Sequence, residues 1–403
     1  MKAWFPVRIG SIVLALLFCF GLDMFVGGNF NDYIYRLFVL AGLYVTLAVS
    51  LNLINGITGQ FSIGHAAFYQ VGAYSAGYVS IQFFSKQPLS GPMWLVLMAV
   101  VGAAVAAIAG LIVGLPSLRL KGDYLAIVTL GFGEIIRIVT NNMPAIGGSY
   151  GMNVQPKMNA LWLVWLLAIV CIAVCRNLLK SAHGLPFLAV REDEVASSAM
   201  GVNLTSTKVT AFILGSAFAG AAGAILAHYE GFINPDSFKM DVSFLILTMV
   251  VLGGTGSITG STIAALILFA IPESPRFLVD SKGQPLIMNF GQLLSGSICI
   301  IGAVLIIKWL MENYHGERRT KSLYMLAAVI GGIILMPLLG MGLSAIPFLA
   351  AKQWEIKELR MVILAVSLIV LMLLRPQGIF AHHEFSWSWV KRLFNKEPKE
   401  ATS

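Results

Sequence analysis

The chain has 403 residues, 58% of them hydrophobic and 11% charged, with a mean hydropathy of +0.82. A water-facing domain carries about 25% charged residues, so this chain has less than half the charge needed to coat a soluble surface. Disordered, collagen-like and disulfide-framework classes are excluded together, and the fold class that remains is all-α, a polytopic integral membrane protein. The net charge of +8 fits cytoplasmic loops and contact with an anionic lipid bilayer better than nucleic acid. Cys19, Cys171, Cys175 and Cys299 all lie in apolar runs, where free cysteine packs as a small hydrophobe. Cys171 and Cys175 share a helix face but have no His or acid beside them to complete a metal site.

A helix crossing the hydrocarbon needs roughly 20 apolar residues. In chain order such runs fall at 9–27, 36–54, 60–84, 93–115, 124–142, 160–176, 209–229, 242–271, 291–308, 322–349 and 359–374. The first follows Lys2 and Arg8 and ends in Asp23 with no small-residue cleavage pattern, which reads as a retained helix rather than a secretory leader. Loops rich in Lys and Arg belong on the cytoplasmic side. They are Arg119/Lys121, then Arg176/Lys180/Arg191/Lys208, then Arg318/Arg319/Lys321, then the tail from Arg375 through Lys391, Arg392, Lys396 and Lys399.

Starting with the N-terminus inside, single crossings place the first two basic loops inside. The last two follow only if 242–271 enters and leaves on the outer side. That run is too long for one straight span and too short for two, and Gly253-Gly254-Thr255-Gly256 interrupts it. The expectation is about ten transmembrane helices plus one glycine-broken re-entrant segment, with both termini cytoplasmic. Unwound backbone at membrane depth survives only where it is buried in protein or lines a cavity, so the break implies a pathway.

A second break, Gly56-Ile57-Thr58-Gly59, leads into Gln60-Phe61-Ser62-Ile63-Gly64-His65. Both breaks share Gly-x-Thr-Gly, then a hydroxyl residue and another glycine (Ser62/Gly64; Thr259/Gly260). Paired glycine-interrupted segments point to the substrate site of an internally repeated transporter; chance similarity in a glycine-rich chain is the alternative. The candidate pathway residues are Gly56, Thr58, Gly59, Ser62, Gly64 and His65 with Gly253, Gly254, Thr255, Gly256 and Ser257.

Catalytic chemistry has little to stand on. No Gly is followed directly by Lys, so there is no Walker phosphate loop, and the Gly253–Gly260 cluster lacks the strand-to-helix setting of a dinucleotide site. There is no HExxH, nucleophile elbow or carboxylate pair. No cofactor, no metal and no enzymatic activity are expected. Glu134 and Arg137, three apart in the 124–142 run, can neutralise each other inside the membrane, either for function or to lock that helix against a neighbour. His65 and His228 have no acid at helical spacing and read as hydrogen-bonded packing histidines. Ser216, Ala219, Gly220 and Gly223 form a small-residue packing stripe.

The longest of these cytoplasmic loops, 176–208, centres on Arg191-Glu192-Asp193-Glu194-Val195-Ala196-Ser197-Ser198-Ala199-Met200-Gly201. It predicts a short helix with acids in its first turn, as the dipole prefers, and Gly201 as its stop. Val195, Ala199 and Met200 give it an apolar face that no span obviously covers, suited to docking; a solvated connector is the alternative. In the tail, Trp387, Trp389 and Phe394 among Lys391, Arg392 and Lys396 suit a helix in the headgroup layer, or else an unstructured basic tail.

Several segments together resemble one family, the M-type permease subunits of branched-chain amino-acid ABC importers. They are Asn52-Leu53 through Gly59-Gln60-Phe61-Ser62-Ile63-Gly64-His65-Ala66-Ala67-Phe68 with Gly72-Ala73-Tyr74, the run from Leu118 to Arg137, the 191–201 loop, Val251-Leu252-Gly253-Gly254-Thr255-Gly256-Ser257, and Arg375-Pro376-Gln377-Gly378. The agreement spans about 50–280 and 359–380. It implies a permease core over 1–280 containing the loop 176–208, an insertion with two extra apolar helices over 281–358, a last core helix over 359–380, and a basic tail over 381–403.

The resemblance further implies a bacterial cytoplasmic (inner) membrane protein paired with a second permease subunit, two cytoplasmic ATP-binding subunits that hydrolyse ATP, and an external solute-binding protein. It makes 191–201 the coupling helix, with Arg191, Glu192, Asp193, Glu194, Ala196, Met200 and Gly201 meeting an ATPase groove. The chain departs from the family at Gly184-Leu185-Pro186-Phe187, where a basic residue usually follows the glycine. For an amino-acid substrate, backbone amides and the hydroxyls of Thr58, Ser62, Thr255 and Ser257 are the dipoles on offer. Urea and short-amide importers use similar permeases and stay open as alternatives. An ion-coupled secondary transporter would need acids facing a cavity, and Glu134 is nearly alone; a passive channel would ignore ATP.

Overall fold

The structure is a computed structural model that describes residues 4–83, 91–117, 122–159, 161–273, 287–289, 353–355 and 369. The chain divides into two compact units, Met1–Ala265 with Phe380–Ser403, and Leu266–Ile379. The long apolar runs of the first unit become helices: α1 (Trp4–Asn29), α2 (Asp32–Asn52), α3 (His65–Phe83), α4 (Gly91–Ser117), α5 (Asp123–Asn141) and α6 (Leu161–Lys180). Two short helices, α7 (Leu185–Glu192) and α8 (Glu194–Ala199), precede the long α9 (Leu204–Glu230). Among the described residues, five stretches are long and apolar enough to cross a bilayer: Asp32–Ile57, Gly91–Pro116, Tyr124–Asn141, Leu161–Lys180 and Leu204–Glu230.

The expected run 60–84 is corrected. Residues 58–64 are not helical, and α3 begins only at His65. At 19 residues, or about 28 Å, α3 is long enough to span, yet it is missing from the five apolar stretches. It is polar because protein surrounds it: Tyr69, Gln70, Tyr74 and Ser80 are all buried. A helix that meets little lipid has no need of a lipid-compatible surface.

That burial comes from glycine. A Cβ at Gly72 of α3 would run into the Gly220 backbone of α9, one at Gly220 into the Gly102 carbonyl of α4, and one at Gly102 into Ala224. Three helices therefore meet backbone to backbone, which is how helices pack when lipid supplies no hydrophobic drive. The stripe at Ser216, Ala219, Gly220 and Gly223 lines this seam. Elsewhere α6 packs on α1 and α2, and α4 and α5 turn Val96, Val100, Ile108, Ile127 and Ile138 outward, a surface fit for acyl chains.

The run 242–271 is two helices, α10 (Met240–Gly253) and α11 (Ile258–Glu273). α10 is about 21 Å long, short of the roughly 30 Å of hydrocarbon. Gly253 and Gly260 lie backbone against backbone, whereas a straight helix holds residues seven apart about 10 Å from each other. The straight run is therefore broken and bent between α10 and α11.

The described residues are mostly helical, and two short strand pairs join their loops. β1 (Met152–Asn153) pairs antiparallel with β2 (Phe232–Ile233), and β3 (Ile287–Asn289) with β4 (Gln353–Glu355). Backbone groups in loops need partners as much as those in spans, and these ladders supply them. The predicted runs 291–308, 322–349 and, apart from residue 369, 359–374, with the tail 381–403, Cys299 and the basic loops at 119–121 and 318–321, lie outside the described residues.

Candidate functional site

The first break starts as a wide π turn, Leu53–Ile57, at the end of α2. The Thr58 and Gln60 N–H groups donate to the Leu53 and Ile54 carbonyls at 3.2 and 3.0 Å, and Gly59 then takes φ +75°. Asn55 closes the loop that follows. Its Nδ2 donates to the Ser62 carbonyl at 3.0 Å and its Oδ1 accepts the Ser62 N–H at 3.1 Å, so a side-chain amide pairs with a peptide as a neighbouring strand would. Beyond it, Gly64 lies so close to the Thr129 carbonyl of α5 that no Cβ fits. The Ile63 N–H reaches Thr129 Oγ1 at 3.1 Å, and the Ala66 N–H reaches Ser243 Oγ of α10 at 3.1 Å.

The second break turns on Gly254 and Gly256, at φ +105° and +93°. The two breaks touch. Gly56 packs so tightly on Gly256 that a Cβ would strike its backbone. Asn52, fully buried at the end of α2, donates through Nδ2 to the Ser257 carbonyl at 3.1 Å and accepts the Gly256 N–H at 2.9 Å. A buried amide in a membrane is costly unless paired, and here both halves are paired across 204 positions of sequence.

Several expected hydroxyls are already occupied. Thr58 Oγ1 donates to the Leu53 carbonyl at 2.8 Å, and Ser257 Oγ accepts the Gly260 N–H at 3.0 Å. Ser62 Oγ is buried with no hydrogen-bond partner among the described residues. His65 Nε2 meets Ser50 Oγ at 2.8 Å and His228 Nδ1 meets the Ala224 carbonyl at 2.8 Å; both rings are buried, and the second nitrogen of each has no hydrogen-bond partner among the described residues.

The single helix expected over 191–201 is corrected to two. α7 ends at Glu192, and Asp193 is extended at φ −155°, ψ 116° before α8 begins. The reason is local: Asp193 Oδ1 accepts the Val195 and Ala196 N–H groups at 2.7 and 3.1 Å, an N-cap that an acid fills well. Arg191 and Glu192 thus close one helix, while Glu194 and Ala196 belong to the next. Gly201, at φ +85°, stops α8 with the Val202 N–H returning to the Ser197 carbonyl at 3.0 Å, a Schellman-type closure. Val195 and Met200 are 71% and 85% exposed, and Ala199 is exposed beside them.

This segment is seated on the breaks. Phe187 and Val190 of α7 are buried. The Arg191 stem lies against Gly59, where a Cβ would sit 3.2 Å from Arg191 Cα, and its guanidinium lies against Gly256. Glu194 pairs with Lys208 of α9, and Gln60 Nε2 donates to the Lys208 carbonyl at 3.4 Å.

Glu134 and Arg137 are paired at 2.9 Å, with Asp236 a further 3.6 Å from Arg137 and Lys239 3.3 Å from Asp236. The four charges sum to zero. Glu134 also lines a narrow cleft with Gly64, Ala67, Gly133, Phe238 and Ser243. Among the described residues no group of three or more His, Cys, Asp or Glu gathers as a metal site. Asn52, Asn55, Thr129, Ser243 and Asp236 were missed in the sequence. The available signal was two asparagines three apart immediately before a glycine break in an apolar run.

Apolar helices of bilayer length, sealed by glycine seams around two broken helices, define a multi-pass membrane protein of the permease class. The family model described as branched-chain amino acid transport system / permease component matches residues 33–307, and the chain belongs to that family. It is similar to the high-affinity branched-chain amino acid transport system permease protein LivM of Salmonella typhimurium, 36% identical over 273 residues, 58% of this chain and 61% of that one. LivM of Escherichia coli K12 is 35% identical over 276 residues, 59% and 62% of the two chains. The probable LivM of Methanocaldococcus jannaschii is 28% identical over 273 residues, 58% and 79%. The match thus spans about three fifths of the length of the first two relatives. No solved structure matches.

Proposed function

We propose that this chain is the membrane-spanning permease subunit of an ATP-driven importer for branched-chain amino acids. Its partners in this reading are a second permease subunit, two cytoplasmic ATP-binding subunits and an external solute-binding protein; ATP is hydrolysed by the partners. The observation that supports it most is the crossing of the breaks at Gly56 and Gly256, with α7 seated on it through Arg191 and continuing into α8. Unwound backbone is tolerated at membrane depth beside a cavity or inside protein, and here the element that would receive an external push rests directly on it.

In this mechanism the binding protein delivers an amino acid at the outer face, and ATP closure of the partners shifts α7 and α8 through the exposed Val195, Ala199 and Met200. The helices around the crossing then exchange outward for inward access. The aliphatic side chain needs only an apolar wall, while Ser62 and the backbone of the breaks face its charged ends as dipoles. The segments α7 and α8, and both termini, are cytoplasmic, and α10 with α11 enters and leaves on the outer side.

The test is purification of the tagged full chain from its native membrane, followed by leucine uptake in proteoliposomes. Co-purified ATP-binding subunits and uptake that stops on ATP depletion support the proposal. A lone chain, or uptake indifferent to ATP, refutes it. Impermeant labelling of a cysteine at position 315 from the cytoplasmic side alone supports the topology, and external labelling overturns it.

A further inference from the structure

We infer that Arg191 is the positioning residue through which the α7–α8 segment moves both glycine breaks together. This rests on the importer reading above and adds to it the contact through which the movement arrives.

Arg191 is the penultimate residue of α7, and it meets the two breaks with different parts of itself. Its Cα, Cβ and Cγ lie 3.2–3.5 Å from where a Cβ on Gly59 would stand, and its Nη1 occupies the space of a Cβ on Gly256. Both glycines also hold positive φ, so each is needed twice over, for its backbone angle and for the room it gives the arginine. A planar guanidinium on a stem already pinned at Gly59 is a stiff spacer rather than a loose tether.

α7 is held to the crossing by Arg191 and packed on α9 with Phe187 and Val190 buried, and α8 is held to α9 by Glu194 and Lys208. Between them stands Asp193, one extended residue. A push on Val195 and Met200 therefore pivots about a single residue, two positions from Arg191. Asn52 ties the breaks to each other, so a displacement at Gly59 and Gly256 reaches both helices as one unit. Hinges of this kind are a few loop residues that absorb a change in φ and ψ.

The experiment measures leucine uptake per ATP hydrolysed in proteoliposomes containing the complete complex. Arg191→Gln should lower that ratio roughly tenfold, within the usual span of a coupling energy, and Arg191→Lys should fall between it and wild type. Gly256→Ala displaces the guanidinium and also strains a turn at φ +93°, so it should lower the ratio at least as far as Arg191→Gln, and the double variant should be no worse than Gly256→Ala alone, since the guanidinium contact is already gone. An unchanged ratio in Arg191→Gln overturns the inference. So do additive losses in the double variant. Loss of recovered complex in both Arg191 variants overturns it as well, since that marks a purely structural role. A wild-type complex that hydrolyses no ATP refutes the importer reading itself, whereas a coupled wild type with an equally coupled Arg191→Gln refutes this inference alone.

Discussion

Replacing Asn52 by alanine removes the amide that joins the two broken helices. Two hydrogen bonds are lost, at 3.1 Å to the Ser257 carbonyl and at 2.9 Å from the Gly256 N–H, but their consequences differ. The Ser257 carbonyl keeps the Ser261 N–H at 3.1 Å and the Ser261 hydroxyl at 3.0 Å, so it stays satisfied. The Gly256 N–H loses its acceptor. Membrane side-chain hydrogen bonds average about 0.6 kcal/mol, whereas a stranded buried donor costs about 1–3 kcal/mol. The stranded donor dominates, and because Gly256 is half-buried Asn52→Ala should destabilise the chain by about 1 kcal/mol, the low end of that range. Asn52→Asp keeps an oxygen for Gly256 but loses the donor and buries a carboxylate, which costs more again. Thermal unfolding of the detergent-solubilised chain should rank wild type above Asn52→Ala above Asn52→Asp. An alanine variant as stable as wild type, or an aspartate variant above the alanine one, would sink the reasoning.

Gly220→Val drives two methyl groups into the Gly102 carbonyl and Ala106; with backbone on the far side the cost should reach or exceed the usual 1–3 kcal/mol of overpacking, read as a lower unfolding temperature, and a neutral result would mean the seam is looser than drawn. Arg137→Ala strands Glu134 and leaves Asp236 with Lys239, while Glu134→Gln leaves Arg137 beside Asp236. The arginine variant should therefore unfold at the lower temperature, and the reverse order would count against the network. Val195→Asp and Met200→Asp alter exposed side chains, so stability should shift by no more than about 0.5 kcal/mol while co-purification of ATP-binding subunits drops; full retention of those subunits would remove the docking face. Glu194→Lys sets two cations together at Lys208 and should abolish uptake, whereas wild-type uptake would show that this tether is dispensable.

The spans that face lipid were legible because lipid imposes one rule on all of them: about 20 apolar residues without a break. Where the neighbour is protein the rule lapses, and so did the reading. Residues 60–64 are apolar enough to extend a helix backward, yet Gly64 must sit against the Thr129 carbonyl and Asn55 must reach Ser62, contacts that a continuous helix would forbid. Asp193 escaped for another reason. Acids suit both the first turn of one helix and the cap of another, and residue type alone does not choose between them; the Asp193 carboxylate does, by accepting the Val195 and Ala196 N–H groups.

The breaks themselves were visible as Gly-x-Thr-Gly, but their meeting was not, since no periodicity relates Asn52 to Gly256 across 204 positions. What does relate them is a requirement of the solvent. Each unwound turn exposes peptide groups that hydrocarbon cannot satisfy, so a membrane chain with two breaks must bring acceptors and donors to them from within. Asn52 and Asn55 are side chains able to do both at once, placed at the last turn before the first break. A buried asparagine beside a glycine break is therefore a search term in its own right: it marks where the broken backbone will find its partner, even when the partner's address is not written nearby.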